Sequence, residues 1–205
     1  LDLGVKRIVV GECGHAFRSV YDVGNRWLGW SMPPIPIVHA VDFYHELLTQ
    51  GRIKVAASVI RGFGTRPLDA PELHVSRLAA QQAYEIAGVG PQDMSVAEVH
   101  DASAMGEIIQ VENLGFVGLG EGGPAAERGE FSLGGRIPVN PSGGLESKGH
   151  PLGATGIGQL YELVCQLRDE AGVRQVEGAK LAVQENGGGL QGIEEAVVAI
   201  TILSR

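Results

Sequence analysis

Apolar positions along the chain follow two different periods. Alternation at every second residue is typical of a strand, and it is clear at Ile53, Val55, Ala57 and Val59. Spacing of three and four residues is typical of a helix and is clear from Val75 onward. Strands alternating with helices predict a layered α/β fold. The predicted strands are 6–10, 53–59, 95–99, 179–185 and 194–203, and the predicted helices are 39–50, 69–87, 103–114 and 153–170.

Glycine-rich stretches interrupt this pattern. Residues 115–152 are rich in glycine and proline and show little regular periodicity, which is uncommon for a loop of this length unless it is functional. His150 stands near its end, between Gly149 and Pro151 and just before a predicted helix. An imidazole beside free backbone N–H groups suits a developing oxyanion. The alternative is a glycine-rich connection with an incidental histidine.

Several other polar residues fit ordinary structural roles. Asp69 followed by Glu72 makes the pattern of a capping box, so a helix is predicted to begin at Asp69. His39, His45 and His74 fall on predicted amphipathic helices without ligand spacing to acidic or cysteine partners, and we expect surface or interface histidines there. The sequence therefore predicts no metal site.

Composition narrows the function classes. The chain has 205 residues and a formal net charge of −8, which argues against a basic nucleic-acid-binding surface. No apolar run reaches the length of a membrane span, and we expect no signal peptide. Two distant cysteines do not make a disulfide framework, and Cys165 is expected to be a buried small side chain. The expected location is the cytoplasm.

Three motifs carry a family resemblance. GGLESKGHPLGATG, preceded by VHDAS and followed by QENGGG, resembles the C-terminal half of a thiolase, nearest to the sterol-carrier-type and thiolase-like lyase branch. The resemblance runs from about Val55 to Arg205. It implies a layered thiolase-like domain over 55–205, with a mixed sheet and helices, and a homodimer in the parent family.

The segment 1–54 resembles a different family. IVVGECGHAFRS and VHAVDFYHELLTQGRIKV are similar to the end of a cysteine-rich iron–sulfur domain of heterodisulfide-reductase-like proteins. Only Cys13 stands in the matching stretch, and one thiolate cannot hold a cluster. We expect a small α/β fragment here, joined near Lys54 by gene fusion, by an artificial junction, or after loss of a preceding piece.

The thiolase resemblance implies roles for particular residues. His150 would activate a nucleophilic cysteine and help to form an oxyanion hole, and His100 would orient a water or a substrate oxygen. The alternative for His100 is a structural histidine. Asn186 and Ala102 occupy positions where thiolases carry a second, acid–base cysteine. The implied substrate-binding residues are Gly143, Gly144, Ser147, Gly149, Gly187 and Gly188.

The implied activity is acyl transfer on acyl-CoA thioesters, by Claisen condensation, its reverse, or a related carbon–carbon cleavage. Coenzyme A enters as part of the substrate, and no resident cofactor is expected. The family's nucleophilic cysteine belongs to its N-terminal half, so we expect the chain alone to be inactive. A small zinc-ribbon acyl-CoA-binding subunit is an expected partner. The alternatives are a non-catalytic thiolase-like scaffold subunit, a truncated chimera without independent function, and an electron-transfer protein using Cys13.

Overall fold

The computed structural model is described for part of the chain. The described residues are 8–10, 37–39, 54–61, 70–189 and 195–205. The chain divides into two compact units, one made of residues 1–53 with 151–158 and the other of 54–150 with 159–205.

In the first unit, β1 (Ile8–Val10) pairs in parallel with β2 (Ile37–His39). The strand predicted near residues 6–10 is confirmed at β1. The prediction of a helix beginning at residue 39 is wrong at that position, because His39 pairs with Val10 as the end of a strand. The rest of that predicted helix lies outside the described residues.

The second unit is built on a mixed sheet. Its strands are β3 (Lys54–Arg61), β4 (Val96–Glu98), β5 (Leu181–Gly188) and β6 (Val197–Ser204), and they lie side by side in the order β3-β6-β5-β4. β6 runs antiparallel to both of its neighbours, whereas β4 is parallel to β5. The predicted α/β class with a mixed sheet and helices is therefore confirmed.

Helices alternate with these strands along the chain. They are α1 (Val75–Ala87), α2 (Ala104–Asn113), α3 (Gly122–Glu127), α4 (Gly144–Lys148) and α5 (Thr155–Leu167). Among the described residues no helix is both long and apolar enough to cross a membrane.

Helix α1 begins later than the capping pattern predicts. Residues 71–73 form a separate 3-10 turn, and His74 caps α1 by accepting a hydrogen bond from the Ser76 N–H at its Nδ1. His74 is therefore a helix cap with a side chain that is 15% exposed. It lies at the end of the helix and not within it, and the expectation of a surface or interface histidine stays a prediction. Asp69 lies outside the described residues. The predicted end at Gly88 is confirmed, because its φ of +68° is the left-handed conformation that glycine favours at a helix end.

The core lies between α1 and the sheet. α1 buries small side chains, including Val75, Ala79 and Ala83, against β3 and β6, where Val198 and Ile200 are fully buried. Small residues on the helix let the two layers approach closely. On the edge strand β3, Val55 and Val59 are 47% and 66% exposed. The alternating apolar stripe of β3 is therefore not its core face.

The glycine-rich stretch is more regular than its sequence indicates. Residues 115–152 contain the short helices α3 and α4, and Glu130 accepts bonds from Arg128 and Arg136 in an exposed ion cluster. The glycines at 187 and 188 belong to β5 and pair with β6, rather than forming a loop. Backbone pairing across the sheet overrides the turn preference of consecutive glycines.

Candidate active site

The carboxyl end of β4 carries the polar residues of the VHDAS motif. Glu98 is the last residue of β4, and His100 and Asp101 follow it. Each of residues 98 to 101 bonds to a different point of the surrounding structure. The strand end is thus held in one conformation by side chains distant in sequence.

Glu98 is completely buried and is bound by three groups from the glycine-rich stretch. Its Oε1 accepts the Ser142 N–H at 3.0 Å, and its Oε2 accepts the Ser142 hydroxyl at 2.7 Å. Lys148 Nζ lies 3.2 Å from the same Oε2 and 2.6 Å from Ser142 Oγ. Burial raises the pKa of Glu98, and Lys148 and Ser142 oppose that effect. These bonds hold Ser142, just before the GGLESK segment, and Lys148, its last residue, against the end of β4.

Asn140 provides further hydrogen bonds that hold the glycine-rich stretch against the end of β4. Its Oδ1 accepts the Val99 N–H at 2.8 Å, and its Nδ2 donates to Glu107 Oε2 at 2.8 Å. The backbone of Asn140 has a φ of +50°, an uncommon conformation for a residue other than glycine. The surrounding bonds hold it there. Burial raises the pKa of the Glu107 carboxyl, while its bond to Asn140 lowers it.

Asp101 explains why the segment carries paired glycines. Its Oδ1 accepts the Leu145 N–H at 2.7 Å, inside the first turn of α4. Gly144 is buried with a φ of +61°, and a Cβ at this position would overlap the Asp101 carboxylate. Only glycine therefore lets the two motifs approach this closely.

The structure brings the two predicted histidines together. The rings of His100 and His150 meet edge to face with centroids 4.9 Å apart. His100 is half-buried, whereas His150 is exposed. Burial lowers the pKa of His100, and His150 lowers it further, while Glu195 and Asp101 raise it. The net effect lowers the pKa of His100 and so favours its neutral form.

Glu185, in β5, lies directly behind His100. Its Oε2 accepts the backbone N–H of His100 at 2.9 Å, and its backbone carbonyl accepts Gln159 Nε2 at 3.0 Å. The residue is completely buried, and within the part of the chain that the structure describes its Oε1 has no hydrogen-bond partner. Burial raises the pKa of Glu185 to about 8, with smaller contributions in the same direction from Glu195 and Asp101.

Glu195, just before β6, is the neighbouring carboxylate. Its Oε1 accepts Gln110 Nε2 at 2.9 Å. Its Oε2 accepts no hydrogen bond from the described residues and lies 3.7 Å from His74 Nε2. A Cβ on Gly187 would lie 2.6 Å from Glu195 Cγ and 3.4 Å from Glu185 Oε1. The missing side chain of Gly187 therefore leaves the space that the two carboxyl groups share.

The other predicted site residues lie on the same elements. Asn186 follows Glu185 in β5, so strand alternation directs its side chain to the opposite face of the sheet. Gly143 and Gly149 bound α4, Ser147 is exposed within it, and Gly188 ends β5. Their roles, and that of Asn186, stay predictions.

The sequence-based interpretation did not include Glu98, Asn140, Lys148, Glu185 or Glu195. A signal was available for two of them, because SVAEV and AVQEN each place a glutamate within an apolar strand. Glutamate is almost never fully buried unless it is paired or functional.

These features define an α/β domain with a polar, histidine-containing site at the carboxyl end of a strand. Residues 69–203 match the family described as "Thiolase C-terminal domain-like". The chain belongs to this family.

Individual relatives agree with that assignment. The chain is 52% identical over 127 residues to an acetyl-CoA acetyltransferase of Methanothermobacter thermautotrophicus, covering 62% of this chain and 32% of the relative. It is 52% identical over 114 residues to sterol carrier protein 2 of Rattus norvegicus, covering 56% of this chain and 21% of the relative. The chain thus spans about a fifth to a third of these curated relatives.

Among solved structures, the fold is similar to that of an Ltp2-ChsH2(DUF35) aldolase. The TM-score is 0.61 at 23% sequence identity, covering 73% of this chain and 38% of that chain. At this level of identity the likeness concerns the fold.

Proposed function

We propose that the chain is part of a thiolase-like acyltransferase that acts on acyl-CoA thioesters. The reaction is a Claisen condensation, its reverse, or a related cleavage of a carbon–carbon bond. The observation that carries this proposal is the contact between His100 and His150, whose rings lie 4.9 Å apart at the junction of two interlocked motifs. Relatives that include an acetyl-CoA acetyltransferase support the substrate class.

In this proposal His150 activates a nucleophilic cysteine and contributes to an oxyanion hole, because it is the exposed member of the pair. His100 orients the substrate oxygen or a water from the half-buried side, and Asn186 is a further polar member of the site. The backbone near the glycines and serine named above contacts the substrate: Gly143, Gly144, Ser147, Gly149, Gly187 and Gly188.

The nucleophilic thiolate comes from another part of the enzyme. Cys165 is half-buried on α5, and burial raises its pKa, so its thiol is poorly suited to attack a thioester at neutral pH. Cys13 lies outside the described residues. Without a thiolate no covalent acyl-enzyme forms, and the chain alone is inactive.

The assembly and the location follow the same resemblance. We propose a thiolase-type homodimer and a small zinc-ribbon acyl-CoA-binding partner, in a cytoplasmic enzyme of lipid metabolism. The similar fold of a protein whose description couples Ltp2 with ChsH2(DUF35) motivates the search for such a partner. Size-exclusion chromatography with light scattering, alone and with a candidate partner, tests both associations.

Residues 1–54 are proposed to be the end of an iron–sulfur protein of the heterodisulfide-reductase-like type, and 55–205 the thiolase-like domain. Cys13 cannot hold a cluster by itself. Purified chain should therefore contain no stoichiometric iron. Sequencing the DNA that flanks the codons for Leu1 and Lys54 will show which parent reading frame each part continues.

The direct test of function combines binding with mass spectrometry. We expect acetyl-CoA to bind to the purified chain, and binding to weaken in His150→Ala but not in the exposed control Gln92→Ala. We expect no acetylated protein and no cleavage of acetoacetyl-CoA. After addition of a thiolase N-terminal half, His150→Ala should reduce turnover by about 10²-fold or more.

The outcomes separate the alternatives. A stable mass increase on Cys13 or Cys165 with turnover would mean that the unassisted chain is a complete enzyme. Binding of acetyl-CoA without activity after complementation would favour the non-catalytic scaffold, an alternative motivated by Ala102 and Asn186 at the positions of the acid–base cysteine. Absence of binding would contradict the proposed substrate class.

A further inference from the structure

Four polar side chains connect the start of α1, through α2, with the segment just before β6. His74 Nδ1 lies 3.2 Å from Asn113 Nδ2, and the same Nδ2 donates to Gln110 Oε1 at 3.2 Å. Gln110 Nε2 then donates to Glu195 Oε1 at 2.9 Å. The other carboxyl oxygen, Glu195 Oε2, lies 3.7 Å from His74 Nε2. These four residues are called the α1–β6 network below.

A helix cap alone does not require such a network. Ser103 caps α2 with one hydrogen bond, which its hydroxyl accepts from the Gly106 N–H. At α1 the capping residue is a histidine, and its neighbours Gln110 and Asn113 are only 3% and 4% exposed. Buried polar groups that satisfy one another fix a single geometry. The α1–β6 network therefore holds a particular arrangement of α1, α2 and Glu195.

The backbone of α1 determines the direction of the hydrogen bonds in this network. The Ser76 N–H can only donate, so His74 Nδ1 accepts it, at 3.2 Å. A ring nitrogen that accepts carries no hydrogen, so the imidazole is neutral and its hydrogen is on Nε2, which faces Glu195. Asn113 must then turn its NH₂ group towards Nδ1. The amide of Gln110 follows, with its oxygen towards Asn113 and its NH₂ group towards Glu195.

Glu195 connects the network to the strand end that carries part of the proposed substrate site. A Cβ on Gly187 would lie 2.6 Å from Glu195 Cγ and 3.4 Å from its Cδ. The Glu195 side chain therefore packs directly against the backbone of Gly187, which is buried in β5 between Asn186 and Gly188. A displacement of Glu195 would leave a void beside this backbone or move it.

We propose that His74 is a positioning residue of the substrate site and acts through Glu195 on the backbone of Gly187. This inference rests on the proposed function, which assigns Asn186, Gly187 and Gly188 to the site. The neutral ring of His74 orients the two buried amides and faces Glu195 with its Nε2–H. The amides and the ring together keep the Glu195 side chain against the end of β5.

Two variants separate positioning from helix capping. His74→Asn keeps an acceptor for the Ser76 N–H, because asparagine is a favourable capping residue, but it removes the nitrogen that faces Glu195. Glu195→Gln approaches the network from the other end, since it puts an amide where the carboxyl group faces His74. The control is Asp93→Ala, which removes a different, exposed cap.

Nuclear magnetic resonance spectra of the whole chain without ligand test the network itself. Nitrogen spectra of the imidazole distinguish its two neutral forms from the charged ring. We expect the hydrogen of the wild-type His74 ring to be on Nε2 at pH 7. We expect the backbone amide resonances of residues 186–188 to shift in His74→Asn and in Glu195→Gln, and to stay unchanged in Asp93→Ala.

Calorimetric titration with acetyl-CoA tests the effect on the site. We expect His74→Asn to weaken binding about tenfold, equivalent to about 1.4 kcal/mol, while the urea midpoint of unfolding stays near that of the wild type. Glu195→Gln should weaken binding to a similar degree. The double variant should bind no more weakly than either single variant, because both changes break the same connection. Asp93→Ala should bind as the wild type does.

The opposite spectra contradict the network. A hydrogen on Nδ1 of His74 at pH 7 contradicts the direction of its hydrogen bonds. Unchanged amide resonances at 186–188 in both variants contradict the connection through Glu195. If His74→Asn does not fold, Glu195→Gln decides by the same measurements.

The binding data distinguish failure of this inference from failure of the proposed function. Equal acetyl-CoA affinity of the wild type and His74→Asn would mean that His74 is a helix cap only. Losses that add together in the double variant would contradict a shared connection. Absence of acetyl-CoA binding to the wild type contradicts the proposed function, and the spectra without ligand still decide whether the network exists.

Discussion

Two buried glutamates on neighbouring strands of the same sheet have opposite surroundings. Glu98 in β4 pairs in register with Gln184, so Glu185, one residue further along β5, faces the other side of the sheet. Both side chains are completely buried. Glu98 is bonded to a lysine, a hydroxyl and a backbone N–H, whereas the only hydrogen bond that the described residues give to the Glu185 carboxyl group comes from a backbone N–H.

This difference in surroundings distinguishes Glu98, a structural carboxylate, from Glu185, a candidate functional group. A buried carboxylate with a cation and several donors holds elements together, and Glu98 does so between β4 and the GGLESK segment. A buried carboxyl group without a cation favours its protonated form. Burial of such a group destabilises the folded protein, and carboxyl groups of this kind occur mainly at functional sites.

The largest expected effect is a change of the free energy of unfolding with pH that arises from the ionisation of Glu185. Its folded pKa of about 8 lies above its ordinary value of 4.5, so its contribution is fully present below pH 4.5 and is lost as the pH rises through about 8. The free energy of unfolding of Glu185→Gln minus that of the wild type should therefore increase by about 1.4 kcal/mol per pH unit in this window.

Urea unfolding at half-unit steps from pH 4 to 9 measures this slope. Glu162→Gln is the matched control, because Glu162 is also a buried glutamate but is bound by the Arg174 guanidinium. A flat difference between Glu185→Gln and the wild type would mean that Glu185 is ionised in the folded chain, and the contrast with Glu98 would disappear.

The second effect concerns the cation at Glu98. Lys148→Met should lower the free energy of unfolding by about 2–3 kcal/mol at pH 7, because it leaves a buried carboxylate without its counter-charge. This loss is smaller than the one expected for a fully buried ion pair, because the Lys148 side chain is 28% exposed. The loss should shrink at low pH, where Glu98 becomes protonated.

A control for this variant is Arg205→Met, which breaks an exposed ion pair with Asp169 and should cost less than about 1 kcal/mol. Equal losses of unfolding free energy in the two variants would contradict the structural role of Glu98, which is to hold the GGLESK segment against β4. Chemical denaturation at pH 5 and pH 7 measures both the size and the pH dependence.

The smallest expected effect comes from Ser142→Ala. The hydroxyl donates to Glu98 and accepts from Lys148, and its loss should lower the free energy of unfolding by about 1 kcal/mol. The lysine can still reach the carboxylate, so the loss should be smaller than in Lys148→Met. Thermal unfolding measured side by side ranks the two variants, and the reverse order would assign the fastening to the hydroxyl.

Much of the fold could be predicted because the periodic patterns agree with the sheet and helices. The strands at β3, β4, β5 and β6 and the helices α1, α2 and α5 were expected near their observed positions. The errors have local causes. α1 begins after the predicted Asp69 because His74 caps the helix instead, and β5 continues beyond the predicted end at residue 185 because β6 supplies backbone partners as far as Gly188.

The motifs also led to the contact between His100 and His150, since both flank element ends that converge in an α/β layer. The carboxyl groups around them could not be ranked in the same way. A glutamate in an apolar strand is a signal of something unusual, but the sequence does not distinguish Glu98 from Glu185.

The sequence by itself determined the α/β class, the order of most elements, the family motifs and the chemistry available at each position, because these depend on local periodicity and residue type. Only the tertiary structure decided which glutamate received Lys148, and which one has a carboxyl oxygen without a hydrogen bond from any described residue. The charge of a buried group depends on its solvent exposure and on neighbours brought in from distant parts of the chain. Those neighbours are chosen by packing, which no single stretch of sequence contains.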